Sequence, residues 1–448
     1  MAKQVKTIKE KITSHTNTFE PTVRIYNEAL SYFIEIVDKE FTDLSLYTTK
    51  SLVTLIERLT HATKMNPSPK YTDFDSQFYK FPSYFRRAAI ASAVGKVNSR
   101  RSLLVNWQEE RNLVLASGKR FNKKPPTFEN QHNEFPVFYK GNMFKDNIDR
   151  SAKIKLYLNN DWVWVTININ PSKNTLVDWK AGSPKLIKVG RKYFLATPYE
   201  KNIKLNKIKI EDQVIISVDL GLNKSAVCSA IRSDGTIVGR LFINQPKEKD
   251  RMDRILKKVS QANRTYGGTE KPNLWRRING LQKHIITDTS RQIVIFALEC
   301  GASTIVFEYL GNMRIAKGTY GANRNKQRLH HWAKIGVQNK TLEMAHYQGI
   351  RISRINPAYT SQLAFDGSGL VKRSKRKDLA TFATGKIYHA DLNASYNIGA
   401  RYFIRELLKT FSEKKKSALE AKVPHLAART QQSLSTLTSF HQALMPTA

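Results

Sequence analysis

The stretch VIISVDLGLNKSAVCSAIRSDGTIVGRLFI, residues 214–243, decides how the second half of this chain folds. It opens on a largely apolar run, 214–218, that is typical of a buried strand and ends at Asp219. Two further strand-forming runs follow, at 225–231 and 237–243. Between them, Ser-Asp-Gly-Thr at 233–236 has the composition of a hairpin turn. The stretch therefore predicts three strands, the last two of which form a hairpin.

The elements after residue 243 extend this pattern into a mixed α and β order. A basic connection, 246–272, leads to a long helix whose apolar residues share one side: Leu274, Ile278, Leu281, Ile285, Ile293, Phe296 and Ala297. The remaining predicted elements are a strand at 303–308, a helix from about Leu329 to Tyr347, a strand at 350–355 and a helix near Asp391. The order β-β-β-α-β-α-β is that of the RNase H-like fold, although ordinary α+β domains can share it.

Three carboxylates lie at the ends of these elements. Asp219 and Glu308 each end an apolar strand, and Asp391 stands at the start of the last helix. Singly, each has a simpler interpretation, since Asp219 before Gly221 suits a turn, Glu308 suits a solvated strand end and Asp391 suits an N-cap. Cleavage of a phosphodiester by two Mg²⁺ ions requires carboxylates that converge on one point. The joint placement of the three therefore favours one metal-dependent nuclease centre.

The charge of the chain points to the same class of partner. The 448 residues carry 74 Lys and Arg against 37 Asp and Glu, a formal net charge of +37, and the length allows two to four domains. Such a chain binds polyanions, and nucleic acid is favoured over a membrane surface because no basic amphipathic helix stands out. Only Cys228 and Cys300 are present, which excludes a disulfide framework. We expect a cytoplasmic protein, since neither a signal peptide nor a membrane span is evident.

The first half divides into two regions by pattern. Residues 1–130 have a mostly helical periodicity, and four arginines beside an apolar stripe favour a phosphate-facing surface over a merely solvated helix: Arg86, Arg87, Arg100 and Arg101. Residues 131–210 contain short β-rich runs and predict a small barrel or sandwich. Trp162 and Trp164 lie two apart on one strand face, and core packing is favoured over stacking on bases.

Three motifs resemble those of a known family. VDLGLNKSAVCSA resembles the first RuvC motif, IVFEYLGNM the second and ADLNASYNIGAR the third, as in TnpB transposon nucleases and compact type V CRISPR effectors. The third is the most specific, and its matching residues are Asp391, Asn393, Ala394, Asn397 and Ile398. The resemblance covers about 410 residues, but is tight only in the second half.

The resemblance implies an RNA-guided DNA endonuclease. Asp219, Glu308 and Asp391 would be its catalytic residues and would hold two Mg²⁺ ions, for which Mn²⁺ can substitute. Guide RNA and double-stranded target DNA would be its partners. The target would be chosen by guide pairing and by a short flanking motif that the N-terminal half reads in the duplex. It implies a multidomain α+β chain with this division: a helical recognition region at 1–130, a β-barrel wedge at 131–210, the first part of an RNase H-like (RuvC) domain at 211–362, an insertion at 363–388 and the C-terminal RuvC helix at 389–411.

The insertion at 363–388 departs from the family. Family members carry a four-cysteine zinc ribbon there, whereas this chain has no cysteine in that segment, so we expect no zinc. We interpret it as a zinc-free lid that guides single-stranded DNA, or alternatively as a solvated loop, on account of its basic run: Lys372, Arg373, Lys375, Arg376 and Lys377. His389 is more plausible as an outer residue than as a metal ligand.

Two alternatives to the nuclease are open. An RNA-guided DNA-binding protein with little or no cleavage would not need three carboxylates together. A transposase or resolvase without a guide is disfavoured by the β-rich region at 131–210 and the third motif. Residues 412–448 show weak periodicity and are expected to form a flexible tail.

Overall fold

A computed structural model describes the following residues: 1–14, 16–64, 66–118, 120–129, 132–146, 150–172, 176–221, 224–266, 271–311, 321–373 and 378–444. The chain forms two compact units, one of Val5–Lys201 and the other of Met1–Gln4 with Asn202–Ala448. The chain is therefore a multidomain α and β protein, as expected. Among the helices in the described ranges, none combines the length and the apolar character needed to cross a membrane.

The first unit combines helices with an antiparallel sheet around one core. Its helices are α1 (Phe19–Glu40), α2 (Thr49–Thr60), α3 (Phe74–Gln77) and α4 (Ser83–Ala116). Its strands are β1 (Ala2–Ile12), β2 (Phe144–Asp146), β3 (Ser151–Leu158), β4 (Asp161–Asn170), β5 (Lys180–Ala181), β6 (Lys185–Val189) and β7 (Lys192–Ile203). In the described part of the chain the strand order is β2-β3-β4-β1-β7-β5, with β6 on β7, and this path does not close. The predicted barrel is therefore not confirmed.

The N-terminus of this unit differs from the helical prediction. Ala2–Ile12 is a strand inside the sheet that the later residues form. Helices and strands also share one hydrophobic core, in which Phe33 of α1 and Ile154 of β3 are both fully buried. Most of the residues in 1–130 and in 131–210 therefore lie in the same unit, Val5–Lys201. Trp162 packs against Phe81 and Phe85 in this core, whereas Trp164 is 39% exposed.

The second unit is built on a five-stranded sheet with the predicted order of elements. Its strands are β8 (Val214–Asp219), β9 (Ala226–Arg232), β10 (Ile237–Ile243), β11 (Thr304–Glu308) and β12 (Arg351–Ile355). The sheet order is β10-β9-β8-β11-β12, in which β8, β9 and β10 are antiparallel and β8, β11 and β12 are parallel. The hairpin turn is also as predicted, and Gly235 supplies the positive φ of +91° that it needs.

Helices cover both faces of this sheet. They are α5 (Pro246–Tyr266), α6 (Pro272–Glu299), α7 (Gly321–Tyr347), α8 (Ala390–Leu408), α9 (Glu413–Lys422) and α10 (Leu434–Leu444). Alternate strand residues face opposite sides, so Ile216 packs with α6 and α7 while Ile215 packs with α8 and α10. The sequence prediction missed α5, which lies in the segment expected to be a connection.

The C-terminal residues are part of this unit, so the expectation of a flexible tail is wrong over the described range to 444. Leu437 and Phe440 of α10 are fully buried in the core that α8 forms with the sheet. The apolar residues of α10 are separated by Ser, Thr and Gln, and this dilution hid the helical spacing of Leu434, Leu437 and Phe440.

The insertion forms a small sheet of its own. Its strands are β13 (Lys372–Arg373), β14 (Leu379–Thr381) and β15 (Ile387–His389), in the order β13-β14-β15. Ala364, Ala380 and Phe382 are buried in its core, and Phe365 packs edge-on against both Phe382 and Tyr388. Aromatic packing thus organises this segment, which makes a solvated loop the poorer of the two interpretations.

Candidate active site

Asp219 and Glu308 end neighbouring parallel strands. Val218 of β8 is paired with Phe307 of β11, so the two carboxylates occupy the next positions along the same two strands. Both strands run in the same direction, and both side chains therefore lie at the carboxyl edge of the sheet. Two apolar strands, each of which ends in an acidic residue, thus supply two of the three carboxylates.

Asp391 reaches the same edge from α8. A Cβ atom placed on Gly221 would lie 3.9 Å from Asp391 Oδ2 and 2.9 Å from the carbonyl oxygen of Lys224. The contact with the Lys224 carbonyl is too short for a side chain, so glycine is required at this position, and the 3.9 Å distance places Asp391 next to it. The third predicted carboxylate is therefore adjacent to the segment that carries the first.

The other two carboxylates act electrostatically on Asp219. The pKa of Asp219 is raised to about 7, first by burial and then by the negative charges of Glu308 and Asp391. Lys334 of α7 and Arg373 of β13 oppose this rise. The edge of the sheet is therefore a concentration of negative charge with two cationic side chains within electrostatic range.

A divalent cation fits the chemistry of this donor set. Three carboxylates supply hard oxygen ligands, and a bound cation would neutralise the negative charges of Glu308 and Asp391 that add to burial in raising the pKa of Asp219. Within the described ranges, no three His, Cys, Asp or Glu side chains lie close enough to form a ready-made metal site.

His389 lies beside Asp391 as a helix cap. Its Nδ1 accepts a hydrogen bond from the backbone N–H of Asp391 at 3.2 Å, and its Nε2 lies 2.8 Å from Lys224 Nζ. Burial, followed by the charge of Lys224, lowers the pKa of His389. A neutral imidazole suits this capping role, because Nδ1 must keep its lone pair.

The predicted phosphate-binding arginines of α4 have partners within their own unit. These arginines are Arg86, Arg87, Arg100 and Arg101. The first two contact Glu57 at 3.4 and 3.0 Å, and the last two contact Asp38 at 3.0 and 3.1 Å. A phosphate would have to compete with these carboxylates, and Arg86 is in addition 7% exposed. These contacts favour structural roles over a phosphate-binding surface.

The basic residues of the insertion are only partly described. Lys372 and Arg373 form β13, and the Arg373 guanidinium donates to the carbonyl oxygen of Ser361 at 3.0 Å. Lys375, Arg376 and Lys377 lie outside the described residues. Of the two lid cations that the structure describes, Arg373 is the one that acts electrostatically on Asp219.

Sequence reasoning missed the residues that surround Glu308. Thr360 Oγ1 donates a hydrogen bond to Glu308 Oε1. Gln338 Nε2 donates to the backbone carbonyl of Glu308 at 2.8 Å. Both partners come from other elements, so no local pattern in the sequence pointed to them.

Comparisons with known proteins agree with the motifs. Residues 6–158 match the model of the Aq_aa04 family. A TnpB-like protein, aq_aa05 of Aquifex aeolicus (strain VF5), is 24% identical over 234 residues, which cover 48% of this chain and 76% of that protein.

Solved structures of RNA-guided effectors are similar over most of the chain, but with TM-scores below 0.5. A Cas12f1-sgRNA-target DNA complex has a TM-score of 0.43 and 14% identity, and covers 88% of this chain and 98% of that one. CasPhi-2 (Cas12j) bound to crRNA and phosphorothioate DNA has a TM-score of 0.45 and 8% identity, and covers 89% and 91%. The sequence similarity to a TnpB-like protein confirms the resemblance drawn from the three motifs.

Proposed function

We propose that this chain is an RNA-guided DNA endonuclease with a single RuvC-type centre formed by Asp219, Glu308 and Asp391. The observation that carries the proposal is that Asp219 and Glu308 end adjacent parallel strands at one edge of the five-stranded sheet, with Asp391 close to Gly221. The relationship to a TnpB-like protein supports the same family of activity.

The sheet supports an RNase H-like domain. Three antiparallel strands are followed by two that lie parallel to the first of them, and the first strand, β8, is central. This arrangement puts Asp219 and Glu308 side by side, with α8 packed on β8 and β9 so that Asp391 lies near them. We further propose the division into a recognition region, a wedge and a nuclease domain at the boundaries predicted above.

The three carboxylates and two basic side chains, those of Lys334 and Arg373, would have different roles in the reaction. Asp219, Glu308 and Asp391 would hold two Mg²⁺ ions, which activate a water molecule and stabilise the charge on the phosphate when bound. Lys334 and Arg373, which act electrostatically on Asp219, are suited to hold the phosphate of a DNA strand at the carboxylates. Because a strong negative field would otherwise repel DNA, these cations are needed for the strand to approach.

We propose guide RNA and double-stranded target DNA as the partners. A formal net charge of +37 supplies the polyanion affinity that holding both would require. In such a division of labour, base pairing with the guide selects the sequence and the protein holds the backbone.

An RNA-guided DNA-binding protein without cleavage is the second candidate. The observation in its favour is that, in the described part of the chain, the acidic side chains do not form a ready-made metal site. If the carboxylates cannot converge when Mg²⁺ is added, binding would be the whole activity.

Purification from cells that carry the native locus tests the proposal. We expect a defined small RNA to co-purify, and we expect the complex to cut DNA matched to that RNA in the presence of Mg²⁺. Matched DNA that is bound but left intact would favour the second candidate. Absence of any bound RNA would refute both.

A further inference from the structure

The loop after β12, residues 356–363, contacts Glu308 through a buried hydroxyl. Thr360 in this loop is 1% exposed, and its hydroxyl donates to Glu308 Oε1. The same hydroxyl lies 3.0 Å from the carbonyl oxygen of Pro357. A hydroxyl has one proton to donate, and a carboxylate accepts it more strongly than a carbonyl does. The bond to Glu308 is therefore favoured, and it fixes one carboxylate oxygen.

Helix α8 holds this loop with buried amides. Asn397 Nδ2 donates to the carbonyl oxygens of Thr360 and Leu363, at 3.0 and 2.8 Å. Asn393 Nδ2 also donates to Leu363, at 2.7 Å. Both asparagines are fully buried. The helix that carries Asp391 in its first turn thus also holds the loop that contacts Glu308, so the two carboxylates share one support.

Arg401 ties the loop to the C-terminal segment, which we define as residues 426–444. Its guanidinium donates to Asn356 and Ala358 of the loop at 3.2 and 2.6 Å, and to Thr430 and Gln432 of the segment at 2.7 and 3.1 Å. All four acceptors are backbone carbonyls. Because Arg401 is only 3% exposed, its loss would leave these carbonyls without their donors in a buried place.

The C-terminal segment also forms hydrogen bonds of its own to α8 and to the insertion. The backbone N–H of Leu434 donates to Asn397 Oδ1 at 3.2 Å, and that of Ser435 donates to the carbonyl of Phe365 at 2.8 Å. Asn397 therefore uses its oxygen on the segment and its nitrogen on the loop. The same amide joins both.

We propose that Thr360 is a positioning residue for Glu308, and that Asn397, Arg401 and the C-terminal segment form the frame that holds Thr360 in place. The inference rests on the proposed function, since it assigns these residues to the geometry of the carboxylate site. It gives the segment a role in metal binding although the segment lies outside the three motifs.

Two substitutions of Thr360 separate positioning from packing. Thr360→Val keeps the shape and removes the hydroxyl, whereas Thr360→Ser keeps the hydroxyl and removes a methyl group. Mn²⁺ binding to the full-length complex is measured by electron paramagnetic resonance, and thermal unfolding is recorded alongside. We expect Thr360→Val to bind Mn²⁺ about 10- to 100-fold more weakly, as for other residues that orient a metal ligand. Thr360→Ser should recover most of the affinity.

The outcomes distinguish this inference from the proposed function. Equal Mn²⁺ affinity in Thr360→Val and the unmodified protein would overturn the inference alone. So would a Thr360→Ser variant as weak as Thr360→Val, because that result would indicate packing. An unmodified protein that binds no Mn²⁺ through Asp219, judged against Asp219→Asn, would overturn the proposed function and this inference with it.

A matched pair on α8 tests the frame. Arg401→Lys keeps the positive charge but cannot reach four carbonyls, so Mn²⁺ affinity should fall. Arg405→Lys is the control, since Arg405 lies one turn further along and donates to Ser353, Arg354 and Glu406 instead. Equal losses in both variants would refute the frame, and the Thr360 pair decides the inference if Arg401→Lys does not fold.

Discussion

The raised pKa of Asp219 predicts that metal binding weakens as the pH falls from 8 to 6. Burial of its carboxyl, together with the charges of Glu308 and Asp391, raises the pKa of Asp219 to about 7. A divalent cation binds only the ionised carboxylate, so the proton and the cation compete for Asp219. An aspartate with the ordinary pKa of 3.8 would be ionised throughout this range.

The size of the effect follows from the pKa of about 7. Asp219 would be about 90% ionised at pH 8 and about 10% ionised at pH 6, so the apparent affinity should fall about tenfold. The metal-free protein should respond in the opposite sense. Asp219 ionises less readily in the native state than in the unfolded chain. The contribution of its protonated form to the free energy of unfolding is therefore lost as the pH rises from about 4 through about 7.

The assay is a Mn²⁺ titration of the full-length protein at pH 6, 7 and 8, followed by electron paramagnetic resonance. His389→Asn is the control, because it removes the neighbouring imidazole and keeps a side chain that can cap α8. We expect the tenfold ratio to persist in this variant. Equal Mn²⁺ affinities at pH 6 and pH 8 in the unmodified protein would show that protonation of Asp219 does not compete with the metal.

Three further predictions concern the packing around the site. Leu437→Ala leaves a cavity under α8 and should destabilise the second unit by about 2–5 kcal/mol in a denaturant titration, whereas an unchanged midpoint would mean that α10 is not packed there. Gly399→Ala puts a Cβ 2.5 Å from Ile231 Cδ1, and overpacking should cost about 2 kcal/mol in the same titration despite the better helix propensity of alanine. Hydrogen exchange in β14 and β15 should be insensitive to a chelator and should increase in Phe382→Ala, because aromatic packing holds this small sheet, and faster exchange on chelation would contradict it.

The sheet and its carboxylates were predictable because their signal is local. Asp219 and Glu308 each follow a continuous apolar run, and parallel strands bring their carboxyl ends to one edge. The third motif supplied Asp391 and also Asn397. The sequence could identify Asn397 but not its task, since its partners Thr360 and Leu434 are 37 residues away on either side.

The missed elements have weak or misleading local signals. Strand β1 is interrupted by lysines such as Lys3, Lys9 and Lys11, and among its side chains only those of Gln4 and Ile12 are buried. Its place in the sheet therefore depends on distant partners. Helix α5 is rich in charge, and its buried apolar residues span only Ile255–Val259. Tertiary packing stabilises both elements, and intrinsic propensity contributes little.

A matched pair of variants tests directly whether Asp219 belongs to a nuclease centre. Asp219→Asn removes one charge from the carboxylate cluster, and Asp212→Asn makes the same change at an exposed position before β8. Both variants are purified with their co-purified RNA and given matched DNA and Mg²⁺. The proposed centre predicts that Asp219→Asn binds the DNA but leaves it uncut, while Asp212→Asn cuts at the rate of the unmodified protein. Equal cleavage by all three proteins would contradict the assignment of Asp219, Glu308 and Asp391 as the nuclease centre.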